Sequence, residues 1–297
     1  MSSPRIAIAT CADYAHLKVD DELLGEELAA RGVEAASVIW DRNGNELTGF
    51  DACIVSSTWD YHEKHKEFLA WARQVEAAMP LWNDANTIAW NSNKRYLRAL
   101  EESGVPIVPT IWAERGERPA LGEVLMGKGW VEAIVKPVVD LGARNLIRVR
   151  AEENKSQEAL ERVLARHDAM LQPFLPSVEA QGELSLIYID GNYSHAVRKR
   201  PAPGDFRVQS IWGGTFEPAK PAPEHVGIAE RTLALVDPTP LYARVDLVND
   251  LNGQPRLIEL ELIEPNLYLT EHPPAVAALA DAVLLRIDVD ADCDVFE

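Results

Sequence analysis

The spacing of apolar positions changes along this chain, and the change divides it. Residues 5–11 (RIAIATC) form a short β-branched apolar run, and the pattern near 20–31 is helical and closes on Gly32, a natural C-cap. EAASVIW (34–40) and DACIVSST (51–58) predict two further strands, and residues 63–79 place Phe68, Ala72, Val75 and Met79 on one helical stripe. Strands alternating with helices predict a parallel sheet covered by helices.

A second unit opens at NSNKRYLRALEESGVPIVPT (91–110), where Ser92 is expected to cap a helix that stops at Gly104 before Pro106 and Pro109. A strand is predicted at 130–138 (WVEAIVKPV) and a helix at 155–167, with Leu160, Val163, Leu164 and His167 on one face. After QPFLPSV come two strands, ELSLIYIDG and NYSHAVRKR, a Pro/Gly loop at 201–204 and a helix around 224–236. An acidic hairpin and a final helix near 274–287 complete the chain. The front third therefore reads as α/β and the remainder as α+β.

The hairpin, LYARVDLVNDLNGQPRLIELELIEPNLYL (241–269), carries the first chemical signal. Strand side chains alternate between two faces, so Arg244 shares a face with Asp246 and Glu259 shares one with Glu261. If the faces coincide, three carboxylates and one arginine meet in apolar surroundings. Burying unpaired carboxylates costs several kcal/mol each, roughly, unless cations neutralise them. A divalent metal held by Asp246, Glu259 and Glu261 is the expected neutraliser.

Lys136 is the second signal, an ammonium inside the apolar strand IVKPV, which calls for an anion. The following VVDLGARN loop has the small residues Gly142 and Ala143, which admit phosphate oxygens to backbone N–H groups. Lys94, Lys136, the QPFL segment, Lys199, Arg207 and the acidic hairpin then follow in order. Cations for phosphates and carboxylates for Mg²⁺ are the two halves of an ATP site.

In this order the residues resemble the ATP-grasp ligases, over roughly residues 90–270. The resemblance implies an ATP-grasp fold behind an N-terminal Rossmann-like domain. It implies a substrate-side α/β domain (1–90), a small subdomain (91–170) and a C-terminal subdomain with the metal site (171–297). It also implies that Lys94 and Lys136 bind phosphates, that Gln172, Phe174 and Leu175 form the adenine hinge, and that Glu179 holds the ribose. Arg244-x-Asp246 matches the family's metal strand, whereas Glu259-x-Glu261 has glutamate where asparagine is usual, so either glutamate is a candidate bridging ligand.

Members of this family mostly join a carboxylate to an amine through an acyl phosphate, with ATP and Mg²⁺ or Mn²⁺. In that scheme Arg244 is expected to stabilise the tetrahedral oxyanion, and Lys199 and Arg207, on either side of RPAPGDF, to close over the γ-phosphate or the substrate carboxylate. Lys199 in RKR also reads as a solvated strand end, and Arg207 as a local partner of Asp205. The strings ATCADY, STWDY, WNSNKRYL, KRPAPGDFRVQ and LIELELIEP resemble the branch of the family that closes a ring on O-ureido-serine in antibiotic biosynthesis. An intermolecular carboxylate–amine ligase and a small-molecule kinase remain as alternatives.

The substrate is expected at the end of the third front strand, where open α/β sheets place ligand loops; Thr58, Asp60 and Tyr61 are the candidates for an amino-acid-like molecule, against a plain loop that caps the next helix. His62 and His65 are spaced as helix metal ligands, but HEKHKE reads better as a solvated face, and Cys11 as a packed strand-end thiol.

Composition narrows the partners. Basic residues number 29 against 47 acidic, a formal charge of −18, which repels phosphate backbones and anionic lipid. A small molecule is expected as partner, with neither nucleic acid nor membrane. The three cysteines, Cys11, Cys53 and Cys293, form no CxxC pair, which argues against a disulfide framework or structural zinc. A cytoplasmic location is the expectation.

Overall fold

The structure, a computed structural model, describes residues 3–42 and 47–293; the side chain of Cys293 lies outside what it describes. Its first unit is a parallel four-stranded sheet of β1 (Arg5–Thr10), β2 (Glu34–Ile39), β3 (Ala52–Val55) and β4 (Leu81–Trp82), in the order β2-β1-β3-β4. Helix α1 (Val19–Ala30) covers one face, and α2 (His65–Glu76) the other through Phe68, Ala72 and Val75.

Helices α3 (Ala85–Asn91) and α4 (Tyr96–Glu102) lead out of this sheet. One helix, α4, follows Ser92 and ends before Gly104 as expected, but it opens at Tyr96 and not on Ser92, and a separate helix, α3, precedes it, capped by Asp84, which accepts from Thr87 N–H at 2.6 Å. Ser92 closes that helix instead of opening the next, and its hydroxyl donates to Ala89 C=O at 3.0 Å.

An antiparallel sheet follows, of β5 (Ile111–Ala113), β6 (Glu132–Pro137), β7 (Ile147–Arg150) and β8 (Ala169–Pro173) in the order β5-β8-β6-β7. Helices α5 (Leu121–Gly127) and α6 (Asn154–Leu164) pack on it through Leu121, Leu125, Leu160 and Leu164. Strands β5 and β7 and helix α5 are too short or too polar for a clear periodicity, and sequence pattern did not predict them.

After α7 (Pro176–Gln181) comes the third sheet: β9 (Glu183–Ile189), β10 (Asn192–Arg200), β11 (Thr215–Pro218), then α8 (Pro223–Leu233), β12 (Tyr242–Asn249) and β13 (Pro255–Glu261). Its order is β11-β10-β9-β12-β13, antiparallel throughout. One face packs on α4 and α8 through Leu97, Leu100, Leu186, Val245 and Ile228. The terminal helix α9 (Pro274–Cys293) returns to the first unit, where Leu279 and Val283 join Leu24 and Leu28 of α1 in one core.

Buried amides bind the front unit to the last strand. Asn83 donates to Tyr242 C=O (2.9 Å) and Leu262 C=O (2.7 Å) and accepts from Leu241 N–H (2.7 Å). Asn91 donates to Leu260 C=O (2.8 Å) and accepts from Leu262 N–H (2.9 Å), and the Tyr96 hydroxyl accepts from Leu260 N–H (2.8 Å). The outer edge of β13 is thus paired by side chains at Leu260, and by the backbone of Pro106 and Val108 at Leu257.

Candidate active site

Strands β9, β10, β12 and β13 turn alternate side chains to one face, and that face carries Glu183, Ser185, Lys199, Arg244, Asp246, Glu259 and Glu261. The ladder sets Arg244 opposite Glu261 and Asp246 opposite Glu259, with a register shift immediately after Asp246. One oxygen each of Asp246, Glu259 and Glu261 lies within 4.8 Å of the others.

Asp246 is fully buried, and its carboxylate accepts from Ser185 Oγ (2.5 Å), Arg244 Nε (3.0 Å), Arg244 Nη2 (2.9 Å) and Lys199 Nζ (2.9 Å). Burial alone would raise its pKa; Arg244 and Lys199 overcome that and hold it below the usual carboxylate range. Arg244 also pairs with Glu261 and donates to Asn266 C=O at 3.3 Å. Lys94 pairs with Glu259 at 3.0 Å and donates to Asp140 C=O at 2.7 Å. Burial lowers the Lys94 pKa, yet Glu259 and its neighbours carry it above its ordinary value.

Asp140, Glu183 and Glu264 complete the cluster, so that six buried or half-buried carboxylates (Asp140, Glu183, Asp246, Glu259, Glu261, Glu264) face four cations (Lys94, Lys136, Lys199, Arg244). The imbalance has a titration signature. Burial pushes Glu261 up to about 7 with Glu259 and Asp246 adding to it, and burial pushes Glu183 up to about 7 despite Lys199. A further cation would relieve this crowding, and an all-oxygen donor set suits Mg²⁺ or Mn²⁺, so the residues fit a divalent ion.

Lys136 is buried, and burial lowers its pKa while Glu259 opposes the shift. It lines a cleft with Gln172, Phe174, Leu175, Glu183 and Arg207, between the second and third sheets. Gln172 is tied down by donating to Thr110 Oγ1 at 3.0 Å, and the Phe174 ring is covered by the Arg148 guanidinium at 3.5 Å.

Other positions singled out in the sequence stand differently. Lys199 is not a solvated strand end: it is 4% exposed, paired with Glu183 as well as Asp246. Arg207 is bidentate to Asp205 (2.7 Å at its closest) and lies over the Trp212 ring at 3.6 Å, although it reaches the cleft. Glu179 is not in the cleft wall; it pairs at 3.3 Å with Arg148 at the rim.

Thr58, Asp60 and Tyr61 do not form one group. Asp60 accepts from Trp40 Nε1 at 2.7 Å, and no bond from its side chain caps the turn after it. Tyr61 is buried against Phe68 at 4.8 Å, and Thr58 Oγ1 is buried without a hydrogen-bond partner among the described residues. His65 is half-buried and meets Ser92 Oγ at 2.8 Å, so it is no free surface residue. Cys11 is a buried free thiol whose pKa is raised by burial and by Asp60.

The sequence reading missed Glu183, Ser185 and Glu264. The first two carry the same signal as Asp246, polar residues two apart in the apolar strand ELSLIYI. Lys18 and Trp59 were also missed; they hold the loop after β13 by donating to Pro265 C=O (3.4 Å) and Glu264 C=O (3.0 Å).

Comparison with known proteins follows this division of the chain. Residues 6–83 match the family of the D-cycloserine synthetase DcsG N-terminal domain, and residues 123–265 match the prokaryotic glutathione synthetase ATP-grasp domain. The chain belongs to the ATP-grasp superfamily. Its ATP-grasp relatives include the cycloserine biosynthesis protein DcsG of Streptomyces lavendulae, 29% identical, with 94% of this chain and 98% of that protein covered. The crystal structure of D-cycloserine synthetase DcsG superposes with a TM-score of 0.85 at 28% identity, covering 95% of this chain and 99% of that one. A glutathione synthetase of Prochlorococcus marinus (strain MIT 9313) is 27% identical, with 92% of this chain and 87% of that protein covered. The protein is therefore an ATP-grasp ligase, an enzyme class that forms C–N bonds, and no described helix is long and apolar enough to cross a membrane.

Proposed function

We propose that this ligase uses ATP to activate the carboxylate of an amino-acid-like substrate as an acyl phosphate, and that the substrate's own nitrogen then displaces phosphate. The reading we favour is closure of O-ureido-serine: the oxygen-linked ureido nitrogen bonds to the acyl carbon as phosphate leaves, and water then cleaves the bond from that nitrogen to the carbamoyl carbon, releasing the carbamoyl group as carbon dioxide and ammonia to give cycloserine. The observation that carries the chemistry is the convergence of three carboxylates within 4.8 Å beside Lys94, Lys199 and Arg244. The likeness of both the front unit and the whole chain to DcsG supports the ring closure.

In this reading the cleft walled by Gln172, Phe174 and Leu175 takes adenine, and Lys136 and Lys94 neutralise phosphate oxygens. Asp246, Glu259 and Glu261 would hold Mg²⁺ or Mn²⁺, which supplies charge neutralisation during phosphoryl transfer when bound. Arg244, fixed on both sides by carboxylates, presents a preorganised cation to the tetrahedral oxyanion. Lys199 sets the position and charge of Asp246 and Glu183. Arg207, at the cleft wall, is the residue to release Asp205 and reach the γ-phosphate or substrate carboxylate.

Residues 1–90 would form the substrate-side domain, 91–170 the small subdomain and 171–297 the C-terminal subdomain. Thr58, with its unpartnered buried hydroxyl, is the best substrate contact of the three front-unit candidates.

The test supplies O-ureido-serine, ATP and Mg²⁺ to the purified enzyme and follows ADP, phosphate and product. Ring closure requires ADP, free phosphate and a cyclic product without any added amine. Holding the nucleophile on the substrate saves an encounter cost worth roughly 7–11 kcal/mol in favourable cases, so added amines should compete poorly. Turnover that appears only with a second amino acid, incorporated in the product, would replace ring closure by intermolecular ligation. A phosphorylated product without free phosphate would make the enzyme a kinase.

A further inference from the structure

On the opposite face of the third sheet lies a second cleft, of about 330 Å³, which the chemistry above does not use. Lys199 points to the carboxylate cluster, so its neighbours Arg198 and Arg200 face the other way, and both line this cleft with His225, Gln181, Gly182 and Asn249. Among the described residues no acidic one lines it, in a chain of net charge −18.

The donors there are underused. Arg198 gives one hydrogen bond to Gln181 C=O at 3.1 Å and has no carboxylate partner among the described residues. Arg200 is paired with the exposed Glu217 at 3.2 Å. His225 Nδ1 accepts from Ala222 N–H at 3.0 Å, which leaves Nε2–H as the donor of the neutral ring. Burial and the proximity of Arg200 lower the Arg198 pKa against the pull of Glu217, and burial and Arg198 lower that of His225 against Glu224.

Gly182 shapes the floor. Its φ is +79°, and a Cβ there would stand 2.2 Å from the Lys199 carbonyl oxygen, so any side chain would displace the strand or fill the cleft.

We propose that this cleft is a binding site for a phosphate-type oxyanion, held by Arg198, Arg200 and the His225 Nε2–H. Guanidinium forks match tetrahedral oxyanions and form the stronger, charge-assisted class of hydrogen bond. The anion is either free phosphate or the phosphate of a small ester, and it binds outside the ATP site, on residues that flank Lys199 in the chain.

The experiment is calorimetric titration at low chloride with inorganic phosphate and, separately, glycerol phosphate. The proteins are the wild type, Arg198→Gln, Arg200→Gln, His225→Gln and Lys136→Ala, each checked by circular dichroism. Loss of a charge-assisted partner should weaken anion binding at least about tenfold in each arginine variant, while Lys136→Ala keeps a phosphate site of wild-type affinity. His225→Gln, which retains a donor, tests the cleft even if an arginine variant is unstable: it should bind more weakly than wild type by a smaller factor. Tighter binding of inorganic phosphate identifies the free ion as the ligand, and tighter binding of the ester identifies a phosphate monoester. Absence of binding in the wild type, or wild-type affinity in all three cleft variants, would overturn the proposal.

Discussion

Lys199 Nζ lies 2.9 Å from Asp246, although the two residues belong to strands β10 and β12, which are separated by β9. The lysine spans the intervening strand at Glu183 and Ser185, and so ties three strands together at their polar face. Its removal leaves Asp246 and Glu183 buried with one cation fewer. Lys199→Met should cost about 3–5 kcal/mol of stability, the usual penalty for breaking a buried pair from one side. Urea unfolding measures it. The double variant Lys199→Met/Glu183→Gln should recover part of the loss, and a single variant as stable as the wild type would contradict the pairing.

Lys136 and Asp246 are expected to separate binding from chemistry. Lys136→Ala removes the buried cation of the cleft and should weaken binding of a non-hydrolysable ATP analogue by about 1.5–3 kcal/mol, tenfold or more. Asp246→Asn should keep measurable nucleotide binding and lose turnover. Calorimetry with both variants decides the matter, and unchanged affinity in Lys136→Ala would remove that lysine from the phosphate site.

Oxygen ligands alone select hard cations. Mg²⁺ and Mn²⁺ should support activity, Zn²⁺ should not, and excess chelator should abolish it. Glu259→Gln and Glu261→Gln, assayed across Mg²⁺ concentration, distinguish the two glutamates. The residue that bridges should raise the metal requirement and lower the maximal rate, and the other should raise the requirement alone.

His195 supplies a pH dependence away from the reacting groups. It is 6% exposed, stacked on His272 at 4.9 Å, with Nε2 3.0 Å from Leu267 C=O and Nδ1 3.0 Å from Ser194 Oγ. Burial lowers its pKa from 6.5 to about 4, with His272 adding to the effect. The unfolded chain therefore binds the extra proton first, and this contribution is lost as pH falls from about 6.5 towards about 4. At pH 5 the loss is roughly 2 kcal/mol. Glu183 and Glu261, both raised to about 7, act in the opposite sense between about 7 and 4.5. The readout is accordingly a difference: wild type minus His195→Gln, by urea unfolding at pH 7 and pH 5. A constant difference would show that His195 does not titrate in this range.

The parts of the fold that can be read from sequence are those where one periodicity persists. The first parallel sheet and the hairpin of Arg244, Asp246, Glu259 and Glu261 have it, because a two-residue repeat of charge in an apolar strand gathers every charge on one face. A serine that opens a helix and one that closes the preceding helix look alike in sequence, and at Ser92 the stronger cap, Asp84, decides between them. For Glu179 and Tyr61, position along the chain says nothing of their partners: a surface arginine takes one and an aromatic core the other. Lys199 lies in a charge run whose alternation sorts it inward and its two neighbours outward, a distinction that exists only once the strand is paired on both sides.

The amides of Asn83 and Asn91 also bear on engineering the enzyme. Residues of the front unit and of the helix that leaves it supply the hydrogen-bonding partners of Leu241, Tyr242, Leu260 and Leu262, within reach of the strand that carries Glu259 and Glu261. A chimaera that takes a front unit from a relative to alter substrate choice must transplant its junction beyond residue 91, or supply equivalent amides. A cut earlier in the chain would trade any change in the front unit against the alignment of the strand that carries Glu259 and Glu261, and the two could not be tuned one at a time.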